Sequence, residues 1–119
     1  MKKILYVEDH KDTAEAVKQI LEDAGYEADI SFRGGEGLKK AREKKFDLVL
    51  LDVMLPDMSG WDIFKTLSTK KYNAKYAFLS VIPVSTERMK EFKKEGVSDY
   101  ITKPFTRKDL IDRVKKILK

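Results

Sequence analysis

The sequence predicts an α/β fold, a doubly wound parallel sheet of five strands with helices on both faces, and three observations carry that expectation. Short apolar runs alternate with segments of helical spacing along the whole chain. One run, Leu48-Val49-Leu50-Leu51, is continuously aliphatic, the pattern of a strand buried on both faces of a parallel sheet. Glycine, proline and capping residues stand where helices should start and stop.

The strand-like runs are Ile4–Val7, Ala28–Phe32, Leu48–Leu51, Tyr76–Leu79 and Asp99–Ile101. After the first, Asp12 and Glu15 have capping-box spacing ahead of Ala14, Val17, Leu21 and Ala24, which share one helical face; Gly25 supplies a left-handed end cap. Leu38 and Ala41 mark a short second helix. The turn Pro56-Asp57-Met58-Ser59-Gly60 leads into a third, with Ile63, Phe64 and Leu67 inward. Met89 and Phe92 mark a fourth, ended by Gly96. Thr106 and Asp109 open a fifth, which should bury Leu110, Val114, Ile117 and Leu118. Right-handed crossovers leave few arrangements of five strands, and the flavodoxin-like order 2-1-3-4-5 is favoured. Residues 1–119 read as one domain, without linker, repeat or low-complexity segment.

Composition narrows the function classes. Hydrophobic residues make up 42% of the 119, enough for a real core. There is no cysteine, so disulfides and thiolate metal sites are excluded. The apolar run near the N-terminus is stopped by Glu8-Asp9, too soon for a signal peptide, and no stretch approaches a membrane span. A cytoplasmic protein without a membrane partner is the expectation. The net charge of +5 raises nucleic-acid binding, but the surplus sits in Lys39-Lys40, Lys70-Lys71, Lys93-Lys94 and Lys115-Lys116, with acids interleaved and no recognition motif. It reads as solvated surface, with no direct nucleic-acid contact by this domain.

In an open α/β sheet, ligands bind beyond the carboxyl ends of the strands. Here the first strand ends in Glu8-Asp9, the third in Asp52 and the fourth in Ser80, and Lys103-Pro104 follows the fifth. Three carboxylates converging on one edge repel, by roughly 4 kcal/mol for a pair about 4 Å apart at an effective dielectric near 20. A divalent cation removes that penalty, and carboxylates with water suit Mg²⁺. A carboxylate can also act as a nucleophile and form an aspartyl-phosphate. Phosphoryl transfer needs a cation or donor for each equatorial oxygen; Mg²⁺, the Lys103 ammonium and the Ser80 hydroxyl would supply three.

Glu8-Asp9, Asp52 with the run Val53-Met54-Leu55-Pro56-Asp57-Met58-Ser59-Gly60, Ser80, and Lys103-Pro104-Phe105, in that order and spacing, resemble the receiver domain of bacterial and archaeal response regulators. The resemblance covers the whole chain. It implies that Asp52 is the phosphoacceptor. Asp9, Asp52 and the Met54 backbone carbonyl would ligate Mg²⁺, with Glu8 acting through water. Ser80 and Lys103 would hold the phosphoryl group. The Lys103–Pro104 peptide would be cis, and Tyr100 would be the switch aromatic that turns inward as Ser80 moves. It further implies a signalling switch rather than an enzyme, beyond its own phosphorylation and slow dephosphorylation. The donor would be a sensor histidine kinase or histidine phosphotransfer protein. An effector would dock on the face of the fourth helix, fifth strand and fifth helix, with a phosphorylation-dependent homodimer among the states to expect.

Two features depart from the family pattern. A bulky Val81, then Ile82-Pro83, follows Ser80 where a small residue is usual, and neither Met54 nor Ile82 offers a polar group to orient water. A slowly hydrolysing phospho-form is the expectation. Hydrolases with an aspartate nucleophile remain the enzymatic alternative, but they place a second acid where Met54 stands and need a cap domain. Whether the chain is a stand-alone receiver or part of a longer regulator or hybrid kinase stays open.

Overall fold

A computed structural model describes residues 1–69 and 73–119; Lys70-Lys71 therefore lies outside the described residues. Among the described residues five strands alternate with five helices: β1 (Lys3–Val7), α1 (Lys11–Asp23), β2 (Glu27–Ser31), α2 (Gly34–Glu43), β3 (Leu48–Leu51), α3 (Gly60–Thr69), β4 (Lys75–Ser80), α4 (Thr86–Glu95), β5 (Val97–Thr102) and α5 (Arg107–Ile117). The sheet is parallel throughout, in the expected order β2-β1-β3-β4-β5.

Alternation along the strands sends side chains to two cores. Leu5, Val7, Val49, Leu51 and Phe78 pack with Ala41 of α2, Ile63, Phe64 and Leu67 of α3, and Phe92 of α4. Ile4, Tyr6, Leu48, Leu50 and Leu79 pack on the other face with Val17 and Leu21 of α1 and Leu110 and Val114 of α5. Every residue of β3 is buried, as its aliphatic run requires.

Helix ends follow local chemistry, with some differences from expectation. Ser85 and Thr106 cap α4 and α5, their hydroxyls accepting from Arg88 N–H at 3.1 Å and Asp109 N–H at 3.0 Å. The turn after α1 closes through Gly25, whose N–H donates to Glu22 O while Tyr26 N–H donates to Leu21 O. The start of α1 is not the capping box expected at Asp12. Ala14 N–H already donates to His10 O at 2.9 Å, so the first turn closes earlier and Asp12 lies within it, where its charge suits the helix dipole. Strand β2 ends at Ser31, one residue before the expected Phe32. Ile117 and Leu118 are half-buried rather than buried, because α5 ends there and leaves one side of both open.

The register sets up the site. Val7 pairs with Leu51, and Asp52 N–H then donates to Val7 O at 3.0 Å, so Glu8 and Asp52 emerge side by side. Ser80 pairs with Thr102, and Lys103 N–H donates to Ser80 O at 2.7 Å. Four strand ends thus meet on one edge.

Candidate functional site

Glu8 lies fully buried beneath this edge, Asp52 is 7% exposed, and Ser80 is buried. The Lys103 ammonium reaches both acids, pairing with Glu8 Oε1 and standing 3.2 Å from Asp52 Oδ2. Other donors fix the carboxylates. The Tyr6 hydroxyl donates to Glu8 Oε1 at 2.9 Å and His10 N–H to Glu8 Oε2 at 3.2 Å. Met54 N–H donates to Asp52 Oδ1 at 3.1 Å. Asp9 is about one-third exposed at the rim. A cleft of about 480 Å³ opens above, lined by Asp9, Asp52, Met54, Ser80, Val81 and Lys103 among others.

The electrostatics follow from burial and pairing. Burial alone pushes Glu8 up, but the Lys103 ammonium and the His10 N–H outweigh it and hold the carboxyl down at about 2. Burial pushes Asp52 up, and the Glu8 charge adds to this; Lys103 and the Met54 N–H only partly offset it. The Tyr6 phenol is pushed far up by its own burial and by Glu8. Since the Glu8 carboxyl is held below its usual 4.5, its stabilisation is complete above that pH and is lost as pH falls toward 2. In metal-free buffer the loss should be on the order of 3 kcal/mol. Urea unfolding across that window should show the acid limb in the wild type and a flatter one in Glu8→Gln.

The remaining expected residues are also brought here. Ser80 Oγ accepts from Ile82 N–H at 3.2 Å. The Lys103–Pro104 peptide is cis. Tyr100 is turned inward, its hydroxyl donating to Ile82 O at 2.5 Å and its ring stacked on Phe92 with centroids 5.9 Å apart. Burial raises its phenol, with the Ser80 hydroxyl pulling the other way. His10, a lone loop histidine beside the acidic pair, brings Nδ1 within 3.3 Å of Glu8 and 3.4 Å of Asp9 while staying largely exposed.

Sequence reasoning missed three supports of the site. Tyr6 reads as one more member of an apolar run, yet its hydroxyl holds Glu8. Gly60 reads as a helix opener, yet a Cβ there would lie 2.1 Å from the Asp52 carbonyl oxygen, so the turn closes only around glycine. Asp57 reads as a turn residue, yet its carboxylate accepts from the amides of Gly34 and Gly35. Only Gly60 had a signal, its place at the end of a proline-started turn.

Comparison with known proteins agrees with this geometry. The family model for the response regulator receiver domain matches residues 4–115. The transcriptional regulatory protein PcoR of Escherichia coli is 35% identical over 119 residues, all of this chain and 52% of PcoR. The cell cycle transcriptional regulator CtrA of Caulobacter vibrioides is 33% identical over 117 residues, 98% of this chain and 50% of CtrA. The chain spans about half the length of these regulators. Among solved structures, a CheY-like receiver domain protein from Methanospirillum hungatei superimposes with a TM-score of 0.89 at 34% identity, covering 99% of this chain and 94% of that one. The response regulator TrrA from Thermotoga maritima, solved in complex with Mg²⁺ and BeF, gives 0.85 at 33% identity, covering 99% of this chain and all (100%) of that one. Because the match runs from the first strand into the last helix, this chain belongs to the family of response regulator receiver domains.

Proposed function

We propose that the chain is a phosphoacceptor switch of a two-component or phosphorelay system, in which Asp52 takes a phosphoryl group from a phosphohistidine on a sensor histidine kinase or histidine phosphotransfer protein. The observation that carries this reading is a nearly buried carboxylate 3.2 Å from an ammonium, lining one cleft together with a hydroxyl. An Asp52 oxygen attacks phosphorus and the P–N bond breaks. Its electron pair stays on the departing imidazole nitrogen, and a P–O bond to Asp52 completes the acyl phosphate. Lys103 faces the charge that spreads over the equatorial oxygens, and Ser80 Oγ, which already accepts one N–H, keeps its own proton to donate.

The donor set fits a hard dication. Asp9 at the rim and the nearly buried Asp52 line the same cleft and would supply carboxylate oxygens, with the Met54 backbone carbonyl as a third ligand. Glu8 fits a role through water, since Tyr6, Lys103 and His10 N–H already occupy its oxygens. When bound, Mg²⁺ would supply positive charge that neither Lys103 nor Ser80 can bring to the phosphoryl oxygens.

Phosphorylation would then act as a switch rather than start a turnover cycle. The added charge pulls Ser80 toward the phosphoryl oxygens and favours the inward Tyr100, since a modification shifts only populations that exist. The readout would pass through α4, β5 and α5 to an effector or a second copy of the chain. The apolar, exposed Val81 and Met54 beside the cleft, and Ile82 next to them, orient no water. The phospho-form should therefore lose phosphate slowly, and the Val81→Ala, Ile82→Asn pair should shorten its half-life as read by phosphate release; equal half-lives would remove this part of the reading.

The test of the whole is incubation with acetyl phosphate and Mg²⁺, followed by mass. The switch gains one phosphoryl group per chain and stops. Continuous turnover of a phosphate ester would instead make the site a hydrolase.

A further inference from the structure

The phosphoacceptor does not stand on its strand alone: one of its two oxygens is held by the loop that follows. Met54 N–H donates to Asp52 Oδ1, so the direction of that carboxylate depends on where the backbone of residue 54 lies. That backbone belongs to a narrow turn over residues 53–59. Gly60 N–H donates to Val53 O at 2.9 Å, and Met54 and Ser59 form an isolated antiparallel bridge. Nothing in this turn is regular secondary structure, so its position needs an outside anchor.

The anchor is on a different element. Both oxygens of Asp57 accept backbone N–H groups from the first turn of α2, Gly34 at 2.8 Å and Gly35 at 2.8 Å, across 23 and 22 residues of sequence. These are donors that a helix leaves unsatisfied at its start, and the residue at the cap, Arg33, offers them no side chain. The two amides hold the Asp57 carboxyl below its usual range. The next residue packs too closely for any side chain on Gly34, whose Cβ would lie 2.3 Å from Met58 Cγ. Charge and packing thus pin the far end of the turn to α2, while its near end holds the nucleophile.

We propose that Asp57 is a positioning residue for phosphoryl transfer: by clamping the first turn of α2 it holds the turn over residues 53–59, and through the Met54 N–H it aims the Asp52 carboxylate. The role rests on the phosphoacceptor reading of Asp52. It predicts that loosening a surface carboxylate on a neighbouring loop slows chemistry at a site it never touches, because small misplacements of a nucleophile carry large rate penalties.

The experiment compares wild type, Asp57→Ala and Asp57→Asn on the full 119-residue chain. It measures the phosphorylation rate at saturating acetyl phosphate, the Mg²⁺ concentration for half-maximal rate, urea stability and amide exchange. Asp57→Ala should slow the saturated rate by about ten- to a hundredfold and raise the Mg²⁺ requirement, with faster exchange at the Gly34, Gly35 and Met54 amides. Asp57→Asn keeps one acceptor oxygen and should recover part of the rate, which a purely structural role would not produce while urea midpoints show both variants folded. A wild-type rate and Mg²⁺ dependence in Asp57→Ala, with Gly34 and Gly35 deprotected, would overturn the positioning role alone. No labelling of wild type would overturn the phosphoacceptor reading and this role with it.

Discussion

Lys103→Met is expected to slow phosphoryl transfer to Asp52 by about a hundred- to a thousandfold, the usual loss when one preorganised donor to a charged transition state is removed. The same change should lower metal-free stability by about 3 kcal/mol, because Glu8 is left buried with its ammonium partner gone. Neutralising the orphaned acid separates the two effects. The double variant Glu8→Gln, Lys103→Met should regain most of the stability and none of the transfer rate, as read by urea unfolding and phosphorylation kinetics. Recovery of both would mean that the lysine serves the fold only.

The second large effect is at the acceptor. Asp52→Asn should abolish labelling, since the amide cannot form the acyl phosphate. It should also make the metal-free protein more stable. A carboxyl whose folded pKa is raised holds its proton more tightly in the folded state, so its ionisation opposes folding, and stability falls as pH rises through its titration. At neutral pH the variant escapes that penalty, so its metal-free unfolding midpoint should lie above that of the wild type. Mg²⁺ reverses the order. At a hundredfold excess over its dissociation constant a ligand adds about 2.7 kcal/mol to the wild type, and the variant, short of one carboxylate, should gain far less. Thermal melts with Mg²⁺ and with chelator read both signs.

The parts of this molecule that were legible in its sequence are those that simple periods control. The β3 run Leu48–Leu51 had to be a doubly covered strand, and parallel strands deliver their ends to one edge, so Asp52, Ser80 and Lys103 were bound to be neighbours once the strand order was right. Capping chemistry located Thr106 and Gly96 because each acts within its own turn. What stayed hidden acts between distant segments or through one atom of an ordinary residue. The Tyr6 hydroxyl sits on a ring that packs as core, and only its direction makes it a partner of Glu8. Asp57 serves a helix 22 residues earlier in the chain, which no local pattern reports. The early start of α1 was hidden for a related reason: a backbone carbonyl at His10 does what a capping side chain at Asp12 was expected to do.

Peptide mapping by mass spectrometry of the chain after acetyl phosphate and Mg²⁺ locates the phosphoryl group itself. One labile phosphoryl group is expected, on the peptide that contains Asp52, formed only when Mg²⁺ is present. A phosphoryl group on any other residue, or equal labelling of Asp52 in chelator, would contradict it.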